Sequence, residues 1–417
     1  MGKNTRKLLI YKINMKKQNK NKKVVLAFSG GLDTSFCAFY LKKKGYEVIT
    51  MTVDTGGFTE KDQGYIAKQS KLVGASKHYF IDGKKELYEK IVTYIIKGNI
   101  LRGGVYPLSA GPERLIIATK LVEIAKIENA ITVAHGATGA GNDQVRFDVT
   151  IKVLAPDLKI IALIRSLSIT RSEEINILEK YGIPFEKAKK DYSINQGMLG
   201  ITIGGKETKE SWDSPPDTIY PICSIENAPN IGEEIVINFE NGLPTSINNK
   251  SMNGIEIIKY LNELGAKHAI GKGIHLGNTI LGIKGRVAFV APASLILIKA
   301  HKELEKLVLT KWQLFWKDIL TEAYGNFLHE ALYFDPVVKD IEALIDSSQK
   351  KVTGQVKIKL IKGNIIIVGY KSPYSLMDQK IATYGEENSF WTGKEAAGFS
   401  KIYGLQSILA QKTNKKI

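Results

Sequence analysis

Residues 24–35 read VVLAFSGGLDTS. VVLAF is a short apolar strand. From Thr34 the apolar residues take helical spacing as far as Lys44, and Gly45 is a usual stop. Strand and helix are joined by Ser29, Gly30, Gly31, Leu32 and Asp33. Two adjacent glycines let the backbone turn tightly and come close to an anion. The free amides at the start of the next helix, with its dipole, can hold phosphate oxygens. Ser29, Thr34 and Ser35 add hydroxyl donors. Asp33 is out of place beside phosphates unless a Mg2+ ion or a water network pairs it, so a metal bridging Asp33 to the phosphates is the expected role. The chain has no GxxxxGK[ST] sequence and this stretch is not GxGxxG, so neither common phosphate-loop pattern explains it.

The alternation of strand and helix continues on the C-terminal side. Residues 46–54 (YEVITMTVD) and 77–82 (KHYFID) read as strands, with a helix at 61–72 between them. A helix at 115–128 precedes strand 130–136 (AITVAHG), residues 160–165 (IIALIR) are strand-like, and a helix at 172–181 stops at Gly182. Strands separated by helices imply right-handed crossovers and a parallel sheet covered on both faces. The fold class is α/β, and this domain is placed at 23–190.

Ligands of such sheets bind at the carboxyl ends of the strands. Strand 130–136 ends in a second glycine-rich stretch, HGATGAGNDQVRF at 135–147, where Thr138, Asn142, Asp143 and Arg146 cluster. A carboxylate, an amide and a guanidinium together suit an amino-acid zwitterion. The same residues also suit a plain polar loop closed by an Asp–Arg ion pair.

Past residue 190 the texture becomes α+β, to about residue 375. Residues 200–205, the SPP at 214–216, and Pro221, Pro229 and Pro244 mark loops. Residues 233–248 read as a hairpin turning at Asn241-Gly242, and 355–370 as one turning at Gly363-Asn364. Helices are expected at 254–264 and 293–305, with one or two more between 310 and 344. The tail, 376–417, reads as helical near Asp378 and over 398–412. Residues 1–22 read as a disordered basic extension, with Met15 an alternative start.

The formal net charge is +17, but the first 23 residues carry nine of the 59 basic residues and no acid. Only seven of the 59 are Arg, the residue best suited to bidentate phosphate and base contacts. Nucleic-acid binding is therefore not the primary role expected. Arg114, Arg146, Arg165, Arg171 and Arg286 are instead expected to hold specific positions. Two cysteines, Cys37 and Cys223, exclude a disulfide framework and suit a reducing cytoplasm. The six His form no metal-ligand pattern. No apolar run reaches the roughly 18 residues that span a bilayer, and LLIYKI at 8–13 is too brief for export. The KWQLFWK stretch at 311–317 reads as an amphipathic helix packing its aromatics into a core or a subunit interface.

The SGGxDS/T pattern after a first strand resembles the pyrophosphate loop of the N-type ATP pyrophosphatases, with an adenine nucleotide alpha hydrolase-like fold. That superfamily includes GMP, NAD and asparagine synthetases, tRNA-thiolating enzymes and argininosuccinate synthases. AFSGGLDTS at 27–35 together with 135–147 resembles the two signatures of the argininosuccinate synthase family. The resemblance continues through YSINQGMLG (192–200), YLNELGAKHAIGKG (260–273), GIKGR (282–286) and VTGQVKIKLIKGN (352–364). It implies an α+β synthetase domain at 191–375 and a helical tail that reaches across a homotetramer. It places ATP on Ala27, Phe28, Ser29, Gly30, Gly31, Leu32, Asp33, Thr34 and Ser35, with Val53 and Gly136 against the nucleotide. It places aspartate on Thr138, Asn142 and Asp143. It places citrulline on Tyr106, Asn142, Arg146, Ser193 and Thr202, with Arg114 retained nearby.

The implied chemistry is adenylation of a ureido oxygen by ATP, then attack by the aspartate amine. Several positions depart from the family's pattern. Its loop lysine is Ala140, a citrulline-contacting serine is Gly111, a glutamate facing the α-amino end is Gly277, and a tyrosine is Phe289. Those last three surround the amino-acid end of citrulline. One expectation is a divergent enzyme that binds free citrulline through other side chains, such as His275 or Glu113. The other is the same chemistry on an N-acylated citrulline. A tRNA-modifying ATP pyrophosphatase is the reading of a different class; its thiolating members need a cysteine pair, which Cys37 and Cys223 do not form in sequence.

Overall fold

A computed structural model describes residues 22–185, 191–385 and 390–414. Apart from Lys22, the expected basic extension lies outside them. Five parallel strands form the first sheet: β1 (Lys23–Ala27), β2 (Glu47–Asp54), β3 (Lys77–Asp82), β4 (Thr132–His135) and β5 (Lys159–Ala162). Their order is β3-β2-β1-β4-β5. The chain moves outward from β1 to β3, then returns to β4 on the other flank of β1. The strand order therefore reverses between β1 and β4, the position where such sheets bind ligands at their carboxyl ends.

The sheet is apolar on both faces, as a covered parallel sheet must be. Val24 and Leu26 pack with Phe36 and Leu178 on one side; Val25, Ala27, Met51 and Val53 join the larger core on the other. The covering helices are α1 (Leu32–Lys43), α2 (Glu60–Leu72), α3 (Glu113–Ile127), α4 (Asp143–Leu154) and α5 (Arg171–Lys180), with a further helical run over residues 84–97. The expected strand at 160–165 stops at Ala162, and Leu163–Leu167 turns into a short helix.

The strands that follow are β6 (Tyr192–Gly197), β7 (Gly200–Gly205), β8 (Glu233–Glu240), β9 (Leu243–Ile247), β10 (Lys250–Ser251), β11 (Lys272–Asn278), β12 (Lys284–Val290), β13 (Gly354–Ile361) and β14 (Asn364–Lys371). They form two antiparallel sheets, ordered β11-β12-β7-β6 and β10-β9-β8-β13-β14. Helices α6 (Gly254–Lys267), α7 (Pro292–Val308), α8 (Lys311–His329) and α9 (Pro336–Gln349) pack around them. Two tail helices, α10 (Gly393–Tyr403) and α11 (Leu405–Asn414), bury no residue within the chain.

Several expectations change here. Residues 200–205 are a strand, not a loop: β7 pairs with β6 on one edge and β12 on the other. Its glycines serve its ends, where Gly200 (φ +131°) and Gly205 (φ +128°) adopt torsions that side chains avoid. The second hairpin turns on Lys362-Gly363, because Asn364 already pairs with Ile361. No helix forms near Asp378, where residues 376–385 run through turns, and the last helix is two. On α8, Trp312 is 62% and Trp316 56% exposed, so these aromatics do not enter this chain's own core.

Candidate active site

The first glycine turn leaves β1 and enters α1. Gly30 has φ +72°, and a Cβ there would lie 3.1 Å from Ile66 Cγ1. Gly31 caps α1 in an extended conformation with no side-chain cap, so the first amides of the helix face outward. The turn is held by weak bonds. The Ser29 amide donates to Thr34 Oγ1 at 3.3 Å, the two hydroxyls lie 3.2 Å apart, and Thr34 Oγ1 donates to the Gly31 carbonyl at 3.3 Å. Bonds this long exchange readily for the oxygens of an anion. Ser35 is fully buried and its hydroxyl has no partner. Val53, the penultimate residue of β2, is buried.

Gly136 follows β4, next to β1. A Cβ on it would lie 3.0 Å from Thr34 Cγ2 and 3.5 Å from the Thr34 amide. The two glycine turns, about a hundred residues apart in sequence, thus touch. Beneath the first turn, Arg171 on α5 approaches Asp33 at 3.8 Å. Glu174, one turn on, is buried at 2% exposure; burial, then the charge and hydrogen bond of Asp33, push its carboxyl up to about 8.

The second turn is braced by residues that the sequence reading left unassigned. The Ala137 amide donates to His135 Nδ1 at 3.3 Å, so Nε2 carries the hydrogen and donates to Asp148 at 2.9 Å. Arg165 donates to Asp148 (2.7 Å) and to Gln144 (3.0 Å), and the Gln144 amide donates to the Gly139 carbonyl. Gln144 and Asp148 are four residues apart on α4, and that spacing was the available signal. Arg165 is one of the arginines expected to hold a fixed place.

Asp143 starts α4 between two guanidiniums, Arg114 Nε and Arg146 Nη1, each 2.9 Å from one of its oxygens. Burial works to raise its carboxyl, but Arg114 and Arg146 outweigh burial and hold it down at about 2. Arg114 also donates to Asn195 Oδ1 at 2.8 Å, and Arg146 to the His329 carbonyl at 3.2 Å. Asn142 Oδ1 accepts from the Ile280 amide at 2.9 Å, tying the β11–β12 turn to this loop. Thr138 and Ala140 are exposed on the same turn.

The four-stranded sheet supplies the opposite wall. Register puts Thr202 across from Asn195 on one side and Phe289 on the other, and Phe289 across from Gly273. Directly paired residues share a face, as do residues two apart. Ser193, Asn195, Thr202, Phe289, His275 and Gly277 therefore share one face. Tyr106 (7% exposed) rests against it, stacked on His275 at 5.4 Å and tilted on Phe289 at 5.3 Å. Gly111 and Gly277 each stand against a side chain. A Cβ at Gly111 would lie 2.9 Å from Arg146 Nη2, and one at Gly277 would lie 2.5 Å from His275 Nε2. Arg102, absent from the sequence expectations, stands beside Gly277 and donates to the Asn278 carbonyl at 2.8 Å.

A parallel sheet with a glycine turn at its switch point, next to the Arg114–Asp143–Arg146 charge cluster and facing a second sheet, is an architecture of the HUP class. Comparison with known proteins narrows this. The family model described as "Arginosuccinate synthase N-terminal HUP domain" matches residues 23–184, and "Arginosuccinate synthase C-terminal domain" matches residues 192–410. Proteins named argininosuccinate synthase are similar over almost the whole chain. The one from Geobacillus kaustophilus is 41% identical over 398 residues, covering 95% of this chain and 97% of its own. That from Pyrococcus furiosus is 43% identical, covering 93% and 94%, and that from Methanocaldococcus jannaschii 40%, covering 94% and 98%. The chain belongs to the argininosuccinate synthase family.

Proposed function

We propose that this chain is an argininosuccinate-forming ligase: it couples a citrulline-type substrate to aspartate at the expense of ATP, releasing AMP and pyrophosphate in arginine biosynthesis. The observation that carries the reading is the contact of Gly136 with Thr34, which joins the phosphate turn to the loop of Asn142, Asp143 and Arg146. In this reading the amides of 30–35 and the hydroxyls of Ser29, Thr34 and Ser35 hold the triphosphate, with Val53 and Gly136 beside the nucleotide. Thr138, Asn142 and Asp143 take aspartate. Tyr106, Asn142, Arg146, Ser193 and Thr202 take the citrulline-type substrate, with Arg114 fixing Asp143.

The ureido oxygen attacks the α-phosphorus and pyrophosphate leaves. The aspartate amine then attacks the activated carbon, and that oxygen departs with AMP. No side chain need form a covalent bond, so positioning and charge stabilisation do the work. Mg2+ suits the turn, since this ion takes one or two protein carboxylates plus substrate phosphates, and Asp33 is a partly exposed carboxylate there. When bound, the ion would neutralise charge on the departing pyrophosphate.

Cys37 and Cys223 are buried in separate core clusters, which speaks against a thiolating role on tRNA. Among the described residues no helix is long and apolar enough to cross a membrane. We place the enzyme in the cytoplasm and assign it a homotetramer; the exposed apolar residues of α10 and α11, such as Phe399 and Ile402, support association, and light scattering tests it. The function is tested by pyrophosphate release with aspartate and the citrulline-type substrate each omitted in turn. Sustained release should require both, with at most one equivalent per site when only aspartate is omitted. Equal release without either would refute a ligase.

A further inference from the structure

Building on the ATP site just proposed, we infer that Arg171 is a phosphate-binding residue: its guanidinium takes the β- and γ-phosphates of ATP, the part that leaves as pyrophosphate. The argument starts from charge. A triphosphate brings several negative charges to the first glycine turn, and residues 29–35 answer with neutral amides and hydroxyls. Asp33, the carboxylate among them, adds one more negative charge. Among the described residues one cation forms an ion pair with this stretch, and it is Arg171. Arg165, the other guanidinium of the segment after β5, is engaged by Asp148 and Gln144.

Arg171 is poorly satisfied where it stands. It is the first residue of α5, and a positive charge at a helix N-terminus opposes the dipole. Its Nη1 lies 3.8 Å from Asp33 Oδ1, too far for a hydrogen bond. Among the described residues none accepts a hydrogen bond from the guanidinium, and the side chain is 60% exposed. A planar fork of donors therefore faces outward beside the turn, and that fork matches phosphate oxygens two at a time. Asp33 does not depend on Arg171, because the carboxyl of Glu174 shares a hydrogen bond with it. Arg171 is free to move to a stronger anion.

The fold puts the guanidinium within reach. α5 packs against α1. Thr170 and Glu173 close a reciprocal cap that fixes the backbone at Arg171 and leaves its side chain free. Asp33 is the second residue of α1, whose first amides have no side-chain cap. A guanidinium beside Asp33 thus stands at the rim of that bare helix start. Ser35, in the same helical turn, is fully buried with an unpartnered hydroxyl, a second sign that a ligand completes this place. To an end built of backbone and small hydroxyls Arg171 adds one mobile charge, and that charge stabilises pyrophosphate as it departs.

The test measures product inhibition of the full chain by pyrophosphate and by AMP, beside the KM for ATP. Rates are read from labelled aspartate incorporated with the citrulline-type substrate at saturating Mg2+. Arg171→Gln should raise both the KM for ATP and the inhibition constant of pyrophosphate about tenfold, as the loss of a charge-assisted hydrogen bond predicts, and leave the constant of AMP within about twofold. Arg171→Lys keeps the charge and should recover part of both effects. KM for aspartate should hold in both variants. Pyrophosphate and AMP constants that rise together overturn the inference. So does an unchanged pyrophosphate constant in a variant that melts like the parent. A residue that only held Asp33 in place would give that second result, with the loss appearing instead as a higher Mg2+ requirement. A parent enzyme that incorporates no aspartate removes the ligase reading, and the inference with it, before any variant is compared.

Discussion

The proposed phosphate end and the proposed amino-acid end of this site are built by different means. The phosphate end is backbone: two glycine turns at neighbouring strand ends, a bare helix N-terminus and small hydroxyls within one short stretch. The amino-acid end is side chain: Tyr106, Asp143 and Arg146 from the first sheet's loops and helices meet Asn195, Thr202 and His275 from another sheet, with His329 from α8 behind. A backbone site tolerates little, because torsion and close approach leave no alternative to glycine. A side-chain site can be rebuilt, because a glycine at 111 or 277 yields room that Arg146 or His275 then occupies. Substrate specificity is therefore expected to reside in the second kind of site.

Four changes would break or sharpen this contrast. The largest effect is expected from Asp143→Ala, which leaves the mostly buried Arg114 and Arg146 facing each other without their carboxylate. Breaking such a pair costs about 3–5 kcal/mol when fully buried, and Asp143 is partly exposed, so a fall of roughly a hundredfold in kcat/KM for aspartate is the expected result, with little change in KM for ATP. Gly136→Val tests the other end. Its Cβ would crowd Thr34, so KM for ATP should rise about tenfold, as for a loss near 1.4 kcal/mol, while KM for aspartate holds. Equal effects on both substrates in steady-state kinetics would dissolve the contrast.

The pH series comes third. Glu113 and Glu174 have folded-state values of about 8 against an ordinary 4.5. The folded chain keeps protons that the unfolded chain gives up, so their contribution to stability is complete below about 4.5 and drains away as pH rises towards 8. Glu113→Gln should flatten that decline and stabilise the chain at pH 8 by about 1–3 kcal/mol, read from melting temperatures across pH. Asp143 acts in the opposite direction: its contribution stands above about 3.8 and is lost as pH falls through 2. The smallest effect is Thr170→Ala. Thr170 caps α5, the helix that brings Arg171 and Glu174 beneath the phosphate turn, and its loss should cost about 1 kcal/mol of stability without altering KM for aspartate.

What the sequence discloses follows the same division. Gly30, Gly31 and the hydroxyls after them are legible because torsion and amide placement are local matters. Asp143 and Arg146 are legible because three residues on a helix bring side chains together. Residues 200–205 misled because their glycines serve strand ends, while the partners that make them a strand include residues 288–290. Arg102 was invisible for a similar reason: its neighbours Gly277 and His275 lie more than 170 residues away and meet it only through the sheet's register. His135 and Asp148 act by orienting a loop, and no local pattern announces that.

The most direct test of the account is the fate of one oxygen. With the ureido oxygen of the citrulline-type substrate labelled with oxygen-18, turnover with ATP and aspartate should deliver the label into the phosphate of AMP. Label absent from AMP and recovered in the ureido-derived product or in water would mean that nucleotide and ureido group never meet at these two turns.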